Sequence, residues 1–210
     1  MVDNLVIGLL AAALLVVFIG FKVKKIIQKN RIAHLDPYKI TIKEIDKMED
    51  GKEFEEYLLR LLIELGYLDA YKTVSSRDFG ADVVFTDSDG FRNVVQAKRY
   101  APNNQVGLSA VQEVYSSMRY YRAKKSMVIS SSFYTDSCET LAGYNGVKLI
   151  NRNELIEIID LLQSGRPEEA RDIIEAEAHL ILHDWSDYLY DTKVIKKDSK
   201  AEKRVKAASK

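Results

Sequence analysis

The sequence predicts an α/β sandwich with a mixed central sheet, preceded by one transmembrane helix. Three observations carry that expectation. Residues 4–21 hold no charge, helical and strand periodicities alternate between Gly51 and Leu162, and Asp87-Ser88-Asp89-Gly90 forms a turn signal between two apolar runs.

The N-terminal run is Asn4 to Phe21. As a helix its 18 residues would span roughly 27 Å at about 1.5 Å per residue, close to the hydrocarbon thickness of a bilayer. Lys22, Lys24, Lys25, Lys29 and Arg31 follow it with no acid among them, and only Asp3 precedes it. That asymmetry predicts a single-pass anchor in the lipid bilayer, with the following chain in the cytoplasm. A cleaved signal peptide would want its positive charge ahead of the run. A buried core helix would be apolar on one stripe rather than all round.

Residues 1–30 thus read as transmembrane anchor and basic flank. Residues 31–48 read as a linker broken by Pro37, with a weak helical pattern at Ile42, Ile45 and Met48. Phe54, Leu58, Leu61, Leu62 and Leu65 recur at helical spacing until Gly66. Strands are expected at Asp69–Val74, Ala81–Thr86 and Phe91–Arg99. A helix follows at Ser109–Arg122, where Ser109 and Gln112 have capping-box spacing. A strand around Met127-Val128-Ile129, a helix near Asp136–Ala142, a strand at Val147–Ile150 and a helix at Asn153–Leu162 complete a domain over 49–163. Helices joining the later strands require parallel pairing there. Pro167 opens a C-terminal amphipathic helix expected to run to about Tyr190, within a segment 164–190. Residues 191–210 are expected to be a basic disordered tail, since Lys193–Lys210 hold eight basic and two acidic residues.

Composition narrows the function classes only loosely. Across 210 residues, 47% are hydrophobic and 30% charged, which excludes global disorder. Lys+Arg and Asp+Glu are 31 each, so any basic surface for nucleic acid is local. A single cysteine, Cys138, excludes an internal disulfide and a cysteine zinc cluster.

The chemistry-bearing residues sit on the hairpin. Asp82 begins one strand, and Gln96 and Lys98, two apart on the next, share a face. The hairpin can set Asp82 beside them. Glu55 lies three and seven residues before Leu58 and Leu62, on the inward half of its helix. Oxygen ligands with one neighbouring ammonium suit phosphodiester cleavage. The oxygens hold a hard cation, the cation activates water, and the ammonium offsets charge in the transition state. Each residue also has a plainer reading. Asp82 is also a strand-end acid, Lys98 a surface lysine, Glu55 a first-turn acid favoured by the helix dipole, and Gln112 the capping partner of Ser109. Glu175, His179, His183 and Asp187 recur every four residues, a row that serves equally as a polar helix face.

These motifs carry a resemblance. Gly51-Lys-Glu-Phe54-Glu55 with Leu65-Gly66-Tyr67, Asp78-Phe-Gly80-Ala-Asp82, Val95-Gln96-Ala-Lys98-Arg99-Tyr100 and Ala110-Val111-Gln112-Glu113-Val114 resemble the catalytic domain of the Mrr-like restriction endonucleases. Ser130-Ser-Ser-Phe133, Leu141-Ala142 and Gly146-Val147-Lys-Leu149-Ile150 resemble its later strands. The resemblance covers roughly 51–159. It implies a restriction-endonuclease-like three-layer sandwich of the PD-(D/E)xK type, acting on DNA with Mg2+ or Mn2+. It implies Asp82, Gln96 and Glu55 as metal ligands, with Lys98 completing the catalytic set. It further implies Arg77, Arg99 and Gln112 as nucleic-acid contacts. Gln96 is a neutral variant of the usual acid, and a membrane segment stands where restriction members often carry a DNA-reading domain. The expected function is therefore a membrane-anchored endonuclease in restriction, defence or DNA maintenance, with a homodimer suited to double-strand cutting. The alternatives are a catalytically weak DNA-binding module or membrane-attached sensor on the same fold, and an interaction protein working through its last helix and tail.

Overall fold

A computed structural model describes residue 18 and residues 35–74, 79–181 and 198–208 of the chain. The expected membrane anchor at 4–21 lies outside these residues apart from Phe18. Among the described residues no helix is long and apolar enough to cross a membrane. The described residues fall into two units divided after Leu180.

The first unit opens with α1 (Ile42–Asp46), capped by Thr41 and Glu44 in a reciprocal capping box. Asp50 caps α2 (Gly51–Glu64) by accepting from the Glu53 N–H at 2.9 Å. The stripe Phe54, Tyr57, Leu58, Leu61 and Leu62 is buried along α2. Deleting one such ring, as in Phe54→Ala, would cost about 3–5 kcal/mol. Next come β1 (Tyr71–Lys72), β2 (Val83–Thr86) and β3 (Arg92–Lys98), then α3 (Ser109–Tyr121), β4 (Lys125–Ser130), α4 (Asp136–Asn145), β5 (Val147–Ile150), α5 (Arg152–Gln163) and α6 (Pro167–Glu175).

The strands form one sheet in the order β1-β2-β3-β4-β5. The first three pair antiparallel, with Val83 opposite Val95, and β3-β4 and β4-β5 are parallel. Gly90 at φ +81° closes the β2–β3 turn, where its N–H donates to the Asp87 carbonyl at 3.0 Å. Alternating side chains feed two cores. Val83, Phe85 and Val95 join α1, α2, α5 and α6 on one face, and Val84 and Val94 join α3 and α4 on the other. The result is the expected three-layer sandwich with a mixed sheet.

Several expectations change. The strand expected at Asp69–Val74 shrinks to two residues. The stretch expected as a linker contributes Leu35, Ile40, Ile45 and Met48 to the first core, all 6% exposed or less. Ser109 and Gln112 form no capping box, for α3 starts after Leu108 with no side-chain cap. The helix from Pro167 ends at Glu175 instead of near Tyr190, because Ala176 turns extended (ψ 142°) and Lys148 Nζ captures its carbonyl at 2.8 Å. Glu175 itself accepts from the Tyr67 hydroxyl at 2.7 Å and from Ser88. Glu175 and His179 therefore do not share a helix face, and His183 and Asp187 lie outside the described residues. In the second unit, α7 (Ser199–Ala208) is helical within the stretch expected as a disordered tail, its start capped by the Asp198 carboxylate.

Candidate active site

Asp82 stands one step beyond the Val83–Val95 pair, across from Gln96. Its carboxylate Oδ2 accepts from Gln96 Nε2 at 2.5 Å and from the Ala97 N–H at 2.7 Å. Both Asp82 and Gln96 are 7% exposed. Lys98, two residues on, faces the same layer, and its ammonium meets Glu113 Oε2 of α3 at 2.6 Å. The hairpin thus brings Asp82, Gln96 and Lys98 together at one end of the sheet.

Two devices hold this end. The Lys98 carbonyl accepts from the Ser131 N–H and the Ser130 hydroxyl, both at 3.1 Å. Arg152 donates to the Ser131 carbonyl at 2.7 Å while gripping both oxygens of Asp46 at 2.7–2.8 Å. That grip raises the Arg152 pKa above its ordinary value. The second device is Gly80, at φ +93°, where an added Cβ would lie 2.3 Å from the Glu113 carbonyl oxygen. Only glycine lets the α3 backbone come this close, two residues before Asp82.

The remaining sequence candidates scatter. Glu55 is on α2, in the opposite layer, where it forms an ion pair with Lys72 at 2.8 Å. Lys72 pairs with Val83 in register and so faces that layer too. Gln112 is exposed in a groove between α3 and α4 with Asp136, Thr140 and Tyr144, away from Lys98. Arg99 follows Lys98, and its Nε is buried with no acceptor among the described residues. Arg77 lies outside the described residues. The residue that sequence reasoning passed over is Glu113. Its signal was helical phase: Ala110, Val114 and Ser117 are buried, and 113 sits on that row whereas 112 does not.

Asp82 and Glu113 offer carboxylate oxygens, Gln96 an amide that presents Oε1 after a half-turn, and the Ala97 carbonyl lies 3.5 Å from Gln96 Nε2. This all-oxygen donor set fits a hard divalent cation that keeps several waters. Among the described residues no three His, Cys, Asp or Glu side chains cluster as a metal site.

A mixed-sheet sandwich carrying an acid and a Gln-x-Lys pair at one hairpin end defines a nuclease-type catalytic domain. Comparison with known families agrees. The model of the Mrr-type catalytic domain, described as a restriction endonuclease, matches residues 45–159, and the chain belongs to that family. No curated protein matches the chain. Among solved structures it is similar to the DNA modification-dependent restriction endonuclease AspBHI, at 20% identity and a TM-score of 0.45 over 70% of this chain and 40% of that one. It is also similar to the MspJI restriction endonuclease in complex with a 27-mer oligonucleotide, at 18% identity and a TM-score of 0.44 over 70% and 38%. A third, a protein of unknown function named AF1548, has 16% identity and a TM-score of 0.39 over 58% and 92%. The chain spans about two fifths of the length of the first two.

Proposed function

We propose that this chain is a metal-dependent endonuclease that hydrolyses DNA phosphodiester bonds in restriction, defence or DNA maintenance, tethered by residues 4–21 with its catalytic domain on the cytoplasmic side of a membrane. The observation that carries the catalytic reading is the Asp82–Gln96 contact across the hairpin end, with Lys98 beside it. The tether rests on sequence alone: an uncharged run followed by basic residues.

Asp82 and Gln96 would hold Mg2+ or Mn2+, which when bound polarises the phosphate and makes a coordinated water more acidic. Lys98 directs its ammonium at the non-bridging phosphate oxygens or the attacking water and offsets the negative charge that builds on phosphorus. Water forms one new P–O bond and one ester P–O bond breaks. Arg99, with a buried N–H lacking an acceptor among the described residues, supports a phosphate contact next to the reacting group. A copy of the chain on each strand would give double-strand cuts.

The test is cleavage of supercoiled plasmid by the purified full-length chain in detergent with Mg2+ or Mn2+. The expected result is nicking that needs the metal and disappears in Lys98→Ala. Equal nicking by wild type and variant would remove the reading. Neutral Gln96 favours a second reading, a DNA-binding module with weak catalysis. Its signature is salt-sensitive DNA binding with no metal-dependent nicking.

A further inference from the structure

We propose that Glu113 supplies the carboxylate that position 96 lacks, so that the metal site includes Asp82, Gln96 and an acid on α3 in place of an acid on β3. The inference rests on the metal-dependent reading above and names a ligand that the sequence motif does not.

Four observations converge on it. Position 96 is a neutral amide, so the hairpin by itself contributes one acid, Asp82, and one cation, Lys98. Glu113 touches the hairpin at Lys98, one residue from the Ala97 N–H that Asp82 engages, so the two carboxylates grip three consecutive residues of β3. Its side chain is 43% exposed against 19% for Lys98, which leaves the carboxylate accessible from solvent. The close approach at Gly80 fixes the α3 backbone at residue 113 itself, which holds this acid beside the start of the Asp82 strand.

The charge count agrees. Asp82 and Glu113 carry minus two and Lys98 plus one, which leaves minus one. An acid at position 96 with no Glu113 would give the same sum. A carboxylate has two oxygens, so one can hold the lysine while the other faces a cation. Glu113 would then do two jobs: ligate the metal and keep the Lys98 ammonium pointed at the reacting phosphate.

The decisive experiment is Mn2+ titration by calorimetry of the full-length chain, its Glu113→Gln variant and the double variant Gln96→Glu/Glu113→Gln, each with its melting temperature. Expected is Mn2+ binding by wild type, a loss of about 10-fold or more in affinity in Glu113→Gln, and return to the wild-type range when the acid is moved to position 96. Glu113→Asp keeps the charge but withdraws it, and is expected to bind more weakly than wild type even if Glu113→Gln melts early. Wild-type affinity in both Glu113→Gln and Glu113→Asp would overturn the inference and leave the metal-dependent reading standing. So would a loss in Glu113→Gln that the double variant does not recover, since Glu113 would then only position Lys98. Absence of Mn2+ binding in the wild type would overturn both.

Discussion

The strand β2 is flanked by two buried aspartates, and the difference between them separates function from support. Asp82, before the strand, and Asp87, after it, each hold a side-chain amide from β3 and a backbone N–H: Gln96 and Ala97 for the first, Asn93 and Phe91 for the second. Each has a lysine nearby. At the Asp87 end Lys125 meets the aspartate directly at 3.2 Å, and the aspartate side chain is 1% exposed. Burial pushes the Asp87 pKa up, but Asn93, the Phe91 N–H and Lys125 outweigh it, so the carboxyl sits below its ordinary value. At that end the aspartate itself holds the lysine. At the Asp82 end Lys98 is drawn to a separate, half-exposed carboxylate on α3, and no direct Lys98–Asp82 pair forms among the described ion pairs. One strand thus carries the same three groups twice: at one end the lysine meets the aspartate itself as well as Glu177, and at the other it meets Glu113 on α3.

The contrast can be broken or sharpened by substitution. The largest effect is expected from Lys98→Ala, which should lower plasmid nicking by about 10^3-fold, the scale of losing one transition-state partner, while melting stays near wild type. Gly80→Ala should come next. It forces a Cβ into the Glu113 backbone at positive φ and should cost about 2–4 kcal/mol in denaturant unfolding, by strain of this kind. Its nicking should fall as well, because α3 must retreat with Glu113.

Asp87→Asn should cost about 1–3 kcal/mol, since it removes a hydrogen-bonded charge and leaves Lys125 only the exposed Glu177 at 3.8 Å. The pH dependence has a definite sign. A depressed folded pKa gives stability that is present above the unfolded value of about 3.9 and is lost as pH falls through the folded pKa. Wild type should therefore lose stability on acidification below about pH 4, and Asp87→Asn should show a shallower acid limb in thermal melts from pH 5 to pH 3. The smallest effect on nicking is expected from Glu55→Gln. With Lys72 as its partner on the other layer, its nicking should stay within about threefold of wild type, although the loss of one partner of a mostly buried ion pair should cost about 1–3 kcal/mol of stability.

The sequence made Asp82, Gln96 and Lys98 legible because a strand has a period of two and a short turn fixes the hairpin register. Asp87-Ser88-Asp89-Gly90 alone as the turn would set 82 opposite 95; Phe91 adds one residue to the connection, so Thr86 pairs with Arg92 and 82 stands across from 96. Glu113 was harder to find. Gln112 and Glu113 are adjacent, and only the burial of Ala110, Val114 and Ser117 decides which of them faces the sheet. The partner of Glu55 was not legible, because β1 is two residues long and its place at the sheet edge is a tertiary fact. The end of α6 at Glu175 also depends on distant groups: Lys148 at the Ala176 carbonyl, and Tyr67 and Ser88 at Glu175. The helical spacing of Ile42, Ile45 and Met48 was visible, but their burial needed α5 and α2 to receive them.

The two aspartates provide the most direct test. Asp82→Asn and Asp87→Asn make the same chemical change at the two ends of one strand, and both can be assayed for Mn2+-dependent plasmid nicking at a temperature where both remain folded. Nicking lost in Asp82→Asn and retained in Asp87→Asn, with only the second melting well below wild type, is the predicted result. Equal nicking in the two variants would contradict the placement of the active site at the Asp82 end.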